Sequence, residues 1–221
     1  MPTGTITAIT PQTRDSRRVN IFVEGRFAFG LSLDALAREG LYVGQRLDEG
    51  AWARLETLVE TERALNAALR LLAARPRSSA ELRQRLRRKG FGAVATARVL
   101  ERLRATGMLD DVAFSRYLIE NRQRFRPRGP RALRAELRQK GLDRETIEAA
   151  METYGGDADA EHARALAVAR AALPRYAGAP DRATFDRRLG GLLQRRGFSL
   201  DTIRPILAIL WRERNAPPRD P

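Results

Sequence analysis

Cysteine is absent from the 221 residues of this chain. That excludes thiolate metal sites, thiol nucleophiles and disulfides, and it fits a reducing compartment, so a cytoplasmic protein is expected. Histidine occurs once, at His162, inside an alanine-rich stretch, where a structural role suits it better than a catalytic one. Aromatic residues make up 6% of the chain, which points to helix interfaces built from Leu and Ala. No apolar run approaches the length of a membrane span. The opening MPTGTITAIT lacks the basic start and apolar centre of a signal peptide. Neither a GxGxxG turn, nor a phosphate loop ending in Gly-Lys, nor a Ser/His/Asp order occurs. The paired carboxylates Asp110 and Asp111 have no third ligand nearby, and Asp110 stands where a helix cap is needed. An enzyme is therefore not expected, and no cofactor or metal is expected either.

What the chain does contain is a pattern that returns three times. Residues 81–91 read ELRQRLRRKGF, 132–142 read ALRAELRQKGL and 188–198 read RLGGLLQRRGF. Each copy holds two leucines four apart: Leu82 and Leu86, Leu133 and Leu137, Leu189 and Leu193. A basic run, a glycine (Gly90, Gly141, Gly197) and an apolar residue follow. The glycines are 51 and then 56 residues apart, the signature of a tandem array of one supersecondary unit. Such arrays tend to be elongated and to present one long surface, which suits a polymeric partner.

Charge is concentrated in the middle of this array. Residues 1–61 carry 7 basic and 8 acidic groups, 62–151 carry 22 and 10, and 152–221 carry 12 and 9. Arginine accounts for 39 of the 41 basic residues, a bias that genome composition explains. Composition does not explain a net +12 within 90 residues. An excess of that density attracts nucleic acid or another polyanion.

The pattern predicts a mainly α fold, with tandem three-helix repeats in an elongated array and a small N-terminal antiparallel β-domain. Residues 5–9, 19–23 and 26–29 read as short strands, with Glu24-Gly25 as a hairpin turn. Asp34 is expected to cap a short helix, and Asp48 a longer one that continues through Leu65, Leu69 and Leu72. Repeat 1 is expected to have helices near 62–74, 78–89 and 93–106. Repeat 2 has them near 111–124, 130–140 and 143–153, and repeat 3 near 157–173, 181–196 and 200–213. The expected domains are 1–47, 48–109, 110–155 and 156–214, with a disordered tail at 215–221.

Candidate contacts follow from helix periodicity. Leu82 and Leu86 share one face, which leaves Arg83, Arg87 and Arg88 on the other. Leu133 and Leu137 likewise leave Arg131, Arg134 and Arg138 outward. Arginine can grip phosphate or carboxylate with two parallel hydrogen bonds. Lys89 and Lys140 each precede a repeat glycine, where a cation at a helix C-terminus explains them as well as ligand binding does. Arg122, Arg124, Arg126 and Arg128 alternate along a linker to Arg131, with Phe125 among them. An alternating basic loop can follow a phosphate backbone. A helix-turn-helix reading is also open, but arginine dominates over base-reading Asn and Gln, which favours backbone contact over a sequence code.

One stretch resembles a known family. Gly107, Met108, Leu109, Asp110 and Asp111 are followed by Phe114, Tyr117, Asn121-Arg122, Gly129-Pro130, Leu133, Glu136-Leu137 and Lys140-Gly141. This order is similar to the central signature of RecX regulatory proteins, and it is dense over residues 78–148. Repeat 3 matches least well, since Gly190-Gly191 replaces a polar helix interior. The resemblance implies a modulator of RecA recombinase in homologous recombination, DNA repair and the SOS response. It implies a monomer that binds the RecA–single-stranded DNA filament in its groove, limits its growth, suppresses ATP hydrolysis and strand exchange, and binds bare nucleic acid weakly. The alternative from the residues alone is an autonomous DNA-binding transcriptional regulator.

Overall fold

The computed structural model describes residues 3–13, 15–154, 157–176 and 178–215. The chain folds as two units, Met1–Arg75 with Leu82–Leu109, and Pro76–Glu81 with Asp110–Pro221.

The first unit begins with β1 (Gly4–Gln12), β2 (Asp15–Val23) and β3 (Arg26–Ser32). Apolar residues alternate along these strands, so Ile6, Val19, Ile21 and Leu31 turn to one buried face. Residues Glu24 and Gly25 both take positive φ, 49° and 74°, the turn geometry that matches strand twist in a tight hairpin. A fourth strand, β4 (Arg46–Leu47), pairs antiparallel with β1, giving the order β3-β2-β1-β4. Two residues are too few to show alternation, so sequence reading missed it. Helix α1 (Leu33–Arg38) is capped by Ser32, whose Oγ accepts from the Ala35 N–H, and not by Asp34 as expected. Asp34 instead lies in the first turn, where its charge suits the helix dipole.

Helix α2 (Glu49–Ala74) is capped by Asp48 as expected and runs unbroken for 26 residues. The first helix of repeat 1 is therefore the second half of this one. Its early turns set Trp52 and Leu55 on the sheet, with Trp52 edge-on to Phe29 at 5.6 Å. Its later turns pass Ala64, Ala67 and Ala68 into a second core with Leu82, Leu86, Val99, Leu100 and Leu103. Small alanines let helices approach closely, which explains a core with few aromatics. Helices α3 (Ser79–Arg88) and α4 (Ala93–Ala105) complete repeat 1.

The second unit holds α5 (Asp111–Phe125), α6 (Pro130–Gln139) and α7 (Arg144–Tyr154), then α8 (Ala158–Ala172), α9 (Arg182–Arg195) and α10 (Leu200–Asn215). Leu133 and Leu137 are buried with Phe114, Leu118, Ile119 and Ile147 in one core, and Leu189 and Leu193 with Phe185, Phe198 and Ile206 in the other. All six helices fall where the leucine spacing and the caps place them. Gly190 is buried, and a Cβ there would lie 3.3 Å from Leu207, so α9 and α10 pack closely where repeats 1 and 2 carry arginine. Of the expected disordered tail, 216–221 lie outside the described residues.

Within the second unit, repeats 2 and 3 are joined through backbone. The N–H groups of Gly129 and Arg131 donate to the carbonyls of Arg196 and Gly197 at 2.9 and 3.3 Å. The N-terminus of α6 thus takes orphan carbonyls from the C-terminus of α9, and the two dipoles meet head to tail. The segment Pro76–Glu81 is held in the same unit through side chains. Ser78 Oγ donates to the Lys140 carbonyl at 2.5 Å, and the Lys140 ammonium meets Glu81 at 2.6 Å.

Candidate nucleic-acid interface

The twelve basic residues singled out from the sequence separate into two groups. Arg83, Arg87 and Arg88 are exposed on α3, Lys89 is exposed just past its end, and Arg131 and Arg138 are exposed on α6. Arg126 is exposed just past α5, and Arg124 lies over the Phe125 ring at 5.1 Å. None of these eight has an acidic partner among the described residues.

The other four are engaged within the fold. Arg122 grips Glu136 with Nε at 3.1 and 3.0 Å and with a terminal nitrogen at 2.6 Å, and Arg128 reaches the same carboxylate at 3.1 Å. Arg134 is half-buried and meets Glu148 at 3.1 Å. Lys140 meets Glu81, as above. The expectation of an alternating basic loop is corrected here. Helix α5 runs to Phe125, so Arg122 and Arg124 belong to its last turn and point in different directions.

Electrostatics at Glu136 explain why this carboxylate tolerates burial. Burial alone works to raise its pKa, but the Arg122 hydrogen bonds, with the charges of Arg122, Arg128 and Lys140, outweigh it and hold the carboxyl below its ordinary value. The hydrogen bond to Glu136 raises the Arg122 pKa in turn, against the effect of its own burial.

The paired aspartates are also structural. Asp110 Oδ1 accepts from the N–H groups of Val112 and Ala113 at 2.7 and 3.1 Å, the cap expected of it. Asp111 Oδ1 accepts from the Ser79 N–H at 2.8 Å. Among the described residues no group of three His, Cys, Asp or Glu is placed to hold a metal ion. Among the same residues no helix is long and apolar enough to cross a membrane.

Two grooves are lined by arginines of these helices. One, of about 580 Å³, is formed by α3 and α4 and is rimmed by Arg83, Arg87 and Arg104. The other, of about 700 Å³, lies between α6 and repeat 3 and is bordered by Arg131, Arg134, Arg138 and Arg195. Arg104 and Arg195 were missed in the sequence. Their signal was present: Arg104 stands off the Val99, Leu100 and Leu103 stripe of a helix already expected at 93–106.

The geometry of three repeats with a leading β-domain has relatives. Family models match residues 4–48 (Regulatory protein RecX N-terminal domain), 64–103 (RecX, first three-helix domain), 110–151 (second) and 159–207 (third). A Regulatory protein RecX of Mycobacterium avium is 40% identical over 154 residues, covering 69% of this chain and 88% of that protein. This chain belongs to the RecX family of regulatory proteins. A RecX of Listeria innocua is 31% identical over 163 residues, 74% of this chain and 61% of that longer protein. The fold is similar to a crystal structure of regulatory protein RecX, with a TM-score of 0.76 at 24% identity, covering 92% of this chain and 98% of the other. RecX from Lactobacillus salivarius gives a TM-score of 0.60 at 21% identity over 68% of this chain and 96% of its own. The signature residues that carry the likeness prove to be those that build the fold: Asp110 and Asp111 as caps, Arg122 with Glu136 as an ion pair, and Gly129 and Lys140-Gly141 at the repeat junctions.

Proposed function

We propose that this chain is a regulator of RecA recombinase that binds the RecA–single-stranded DNA filament in its groove and limits filament growth, ATP hydrolysis and strand exchange. It works in the cytoplasm, without a cofactor and as a monomer. The working units are the β-domain 1–47 and the repeats within 48–109, 110–155 and 156–214. Family membership supports the regulatory role. The observation that carries the choice of partner is the set of exposed arginines in repeats 1 and 2 with no acidic partner among the described residues. Folding does not use these charges, and they suit a long polyanionic nucleoprotein. The deciding experiment measures RecA ATPase on single-stranded DNA with and without this protein, beside a titration of bare DNA. Strong inhibition at concentrations where bare DNA is hardly bound is expected. Unchanged ATPase together with tight, sequence-selective duplex binding overturns the reading and favours an autonomous DNA-binding regulator.

A further inference from the structure

The residue that precedes the third helix of each repeat lies two positions after the repeat glycine, and the cap it offers differs between repeats. In repeat 2, Asp143 accepts from the Thr146 N–H at 2.8 Å. In repeat 3, Ser199 Oγ accepts from the Thr202 N–H at 3.1 Å. In repeat 1 the same position is Gly92, which has no side chain to offer. The Gly92 N–H is taken by Glu60 of α2 at 2.7 Å, while those of Ala93 and Val94 have no partner among the described residues.

This helix end borders the groove rimmed by Arg83, Arg87 and Arg104. The lining of the groove includes Thr96, 2% exposed, whose hydroxyl has no hydrogen-bond partner among the described residues. At its edge Gly90 takes φ 87°, and a Cβ there would meet nothing within 4 Å, so ligand can approach the backbone. The lining carries three guanidiniums and no acid, and the N-terminus of α4, where Glu60 holds only the Gly92 N–H, begins beside it with Ala93. That is the chemistry of an anion site. Phe91 in the same lining offers an apolar surface to a sugar or base.

We infer that the α3–α4 groove of repeat 1 binds the phosphodiester backbone of a single nucleic-acid strand and is the chain's main direct contact with it. The inference deepens the proposed function, and rests on that reading for the strand being the one a recombinase coats. Repeat 2 is a poorer candidate, because Arg134 there is held by Glu148 and Asp143 caps α7.

The test is fluorescence anisotropy with a labelled oligothymidylate and the full chain. Arg83→Gln with Arg104→Gln is expected to weaken binding about tenfold or more near 100 mM salt and to flatten the log–log salt slope by about 1.4, two phosphate contacts on a single strand. Arg131→Gln with Arg138→Gln removes the same charge from repeat 2 and is expected to cost less than about threefold. Glu60→Gln keeps an acceptor for the Gly92 N–H but removes the nearby negative charge, so it is expected to tighten binding about threefold. A tightening cannot arise from unfolding. The inference is overturned if the repeat 1 pair binds like the parent, if the repeat 2 pair costs as much, or if Glu60→Gln fails to tighten. It is overturned too if polyglutamate displaces the oligonucleotide at equal charge concentration, which would make the groove a carboxylate surface. RecA ATPase on the parent reports separately: strand binding through this groove with no effect on RecA upholds the inference and sinks the proposed function.

Discussion

Gly197 turns back onto Ala132 so closely that a Cβ at 197 would lie 2.9 Å from the Ala132 Cα and would overlap its nitrogen and methyl group. The equivalent glycine of repeat 1, Gly90, has nearly the same φ, 87° against 88°, but open space around it. The same sequence signal therefore serves two purposes, a helix stop at 90 and a helix stop plus a junction at 197.

Alanine substitution separates them. Gly90→Ala is expected to cost about 1–2 kcal/mol, the penalty of a left-handed conformation for a residue with a Cβ. Gly197→Ala carries that penalty and a backbone collision besides, so its cost is expected to exceed that of Gly90→Ala clearly. Urea unfolding of the two variants, followed by helical circular dichroism, makes the comparison. Equal costs would mean that the junction relaxes freely.

Glu136 gives a signed dependence on pH. Its folded pKa is depressed below the ordinary 4.5, so the pair with Arg122 and Arg128 contributes fully above that value and is lost as pH falls through the lower folded pKa. Glu136→Gln is expected to cost about 2–3 kcal/mol at neutral pH, the scale of hydrogen bonds to a charged group. The difference from the parent should hold steady down to about pH 5 and shrink in stronger acid. Chemical denaturation at several pH values measures it, and a difference that grows on acidification would contradict the assignment.

Leu86→Ala and Leu137→Ala remove fully buried side chains from the cores of repeats 1 and 2. Each is expected to destabilise by about 2–5 kcal/mol through lost transfer energy and a cavity. Thermal melts of both variants test this, and a loss under about 1 kcal/mol would mean that the cores refill.

The charged face should behave in the opposite way. Reversing Arg83, Arg87, Arg131 and Arg138 to Glu is expected to abolish inhibition of RecA while helical circular dichroism stays unchanged, since none of the four has an acidic partner among the described residues. Arg134 is left out of this set because Glu148 holds it, and its reversal would set two carboxylates together. If about 4–6 phosphates are met, bare single-strand binding should show a log–log salt slope of roughly −3 to −4. A folded variant that inhibits as the parent does would show that this face is ordinary solvated surface.

Periodicity made the helices legible. Leucines at i and i+4 marked the buried faces, and Asp48 and Asp110 marked two starts. Elements that lack a period were hidden. Strand Arg46–Leu47 is set by its partner β1, and the cap of α1 went to Ser32 since its hydroxyl sits three residues before the Ala35 N–H it serves. Half-hidden too was the division among the arginines. Glu136 lies 14 residues from Arg122 and Glu81 lies 59 from Lys140, so nothing local distinguishes a cation engaged in the fold from one without an acidic partner among the described residues.

The backbone junctions have a further consequence for how such an array can change. Gly129 and Arg131 meet repeat 3 through main-chain groups, and what that contact demands of side chains is chiefly smallness. Stacking and surface are then specified by separate letters of the same helix. Repeat 3 keeps Gly197 at its junction while carrying Gly190 and Gln194 where its neighbours carry arginine. A repeat can lose its arginine face and still keep its junction.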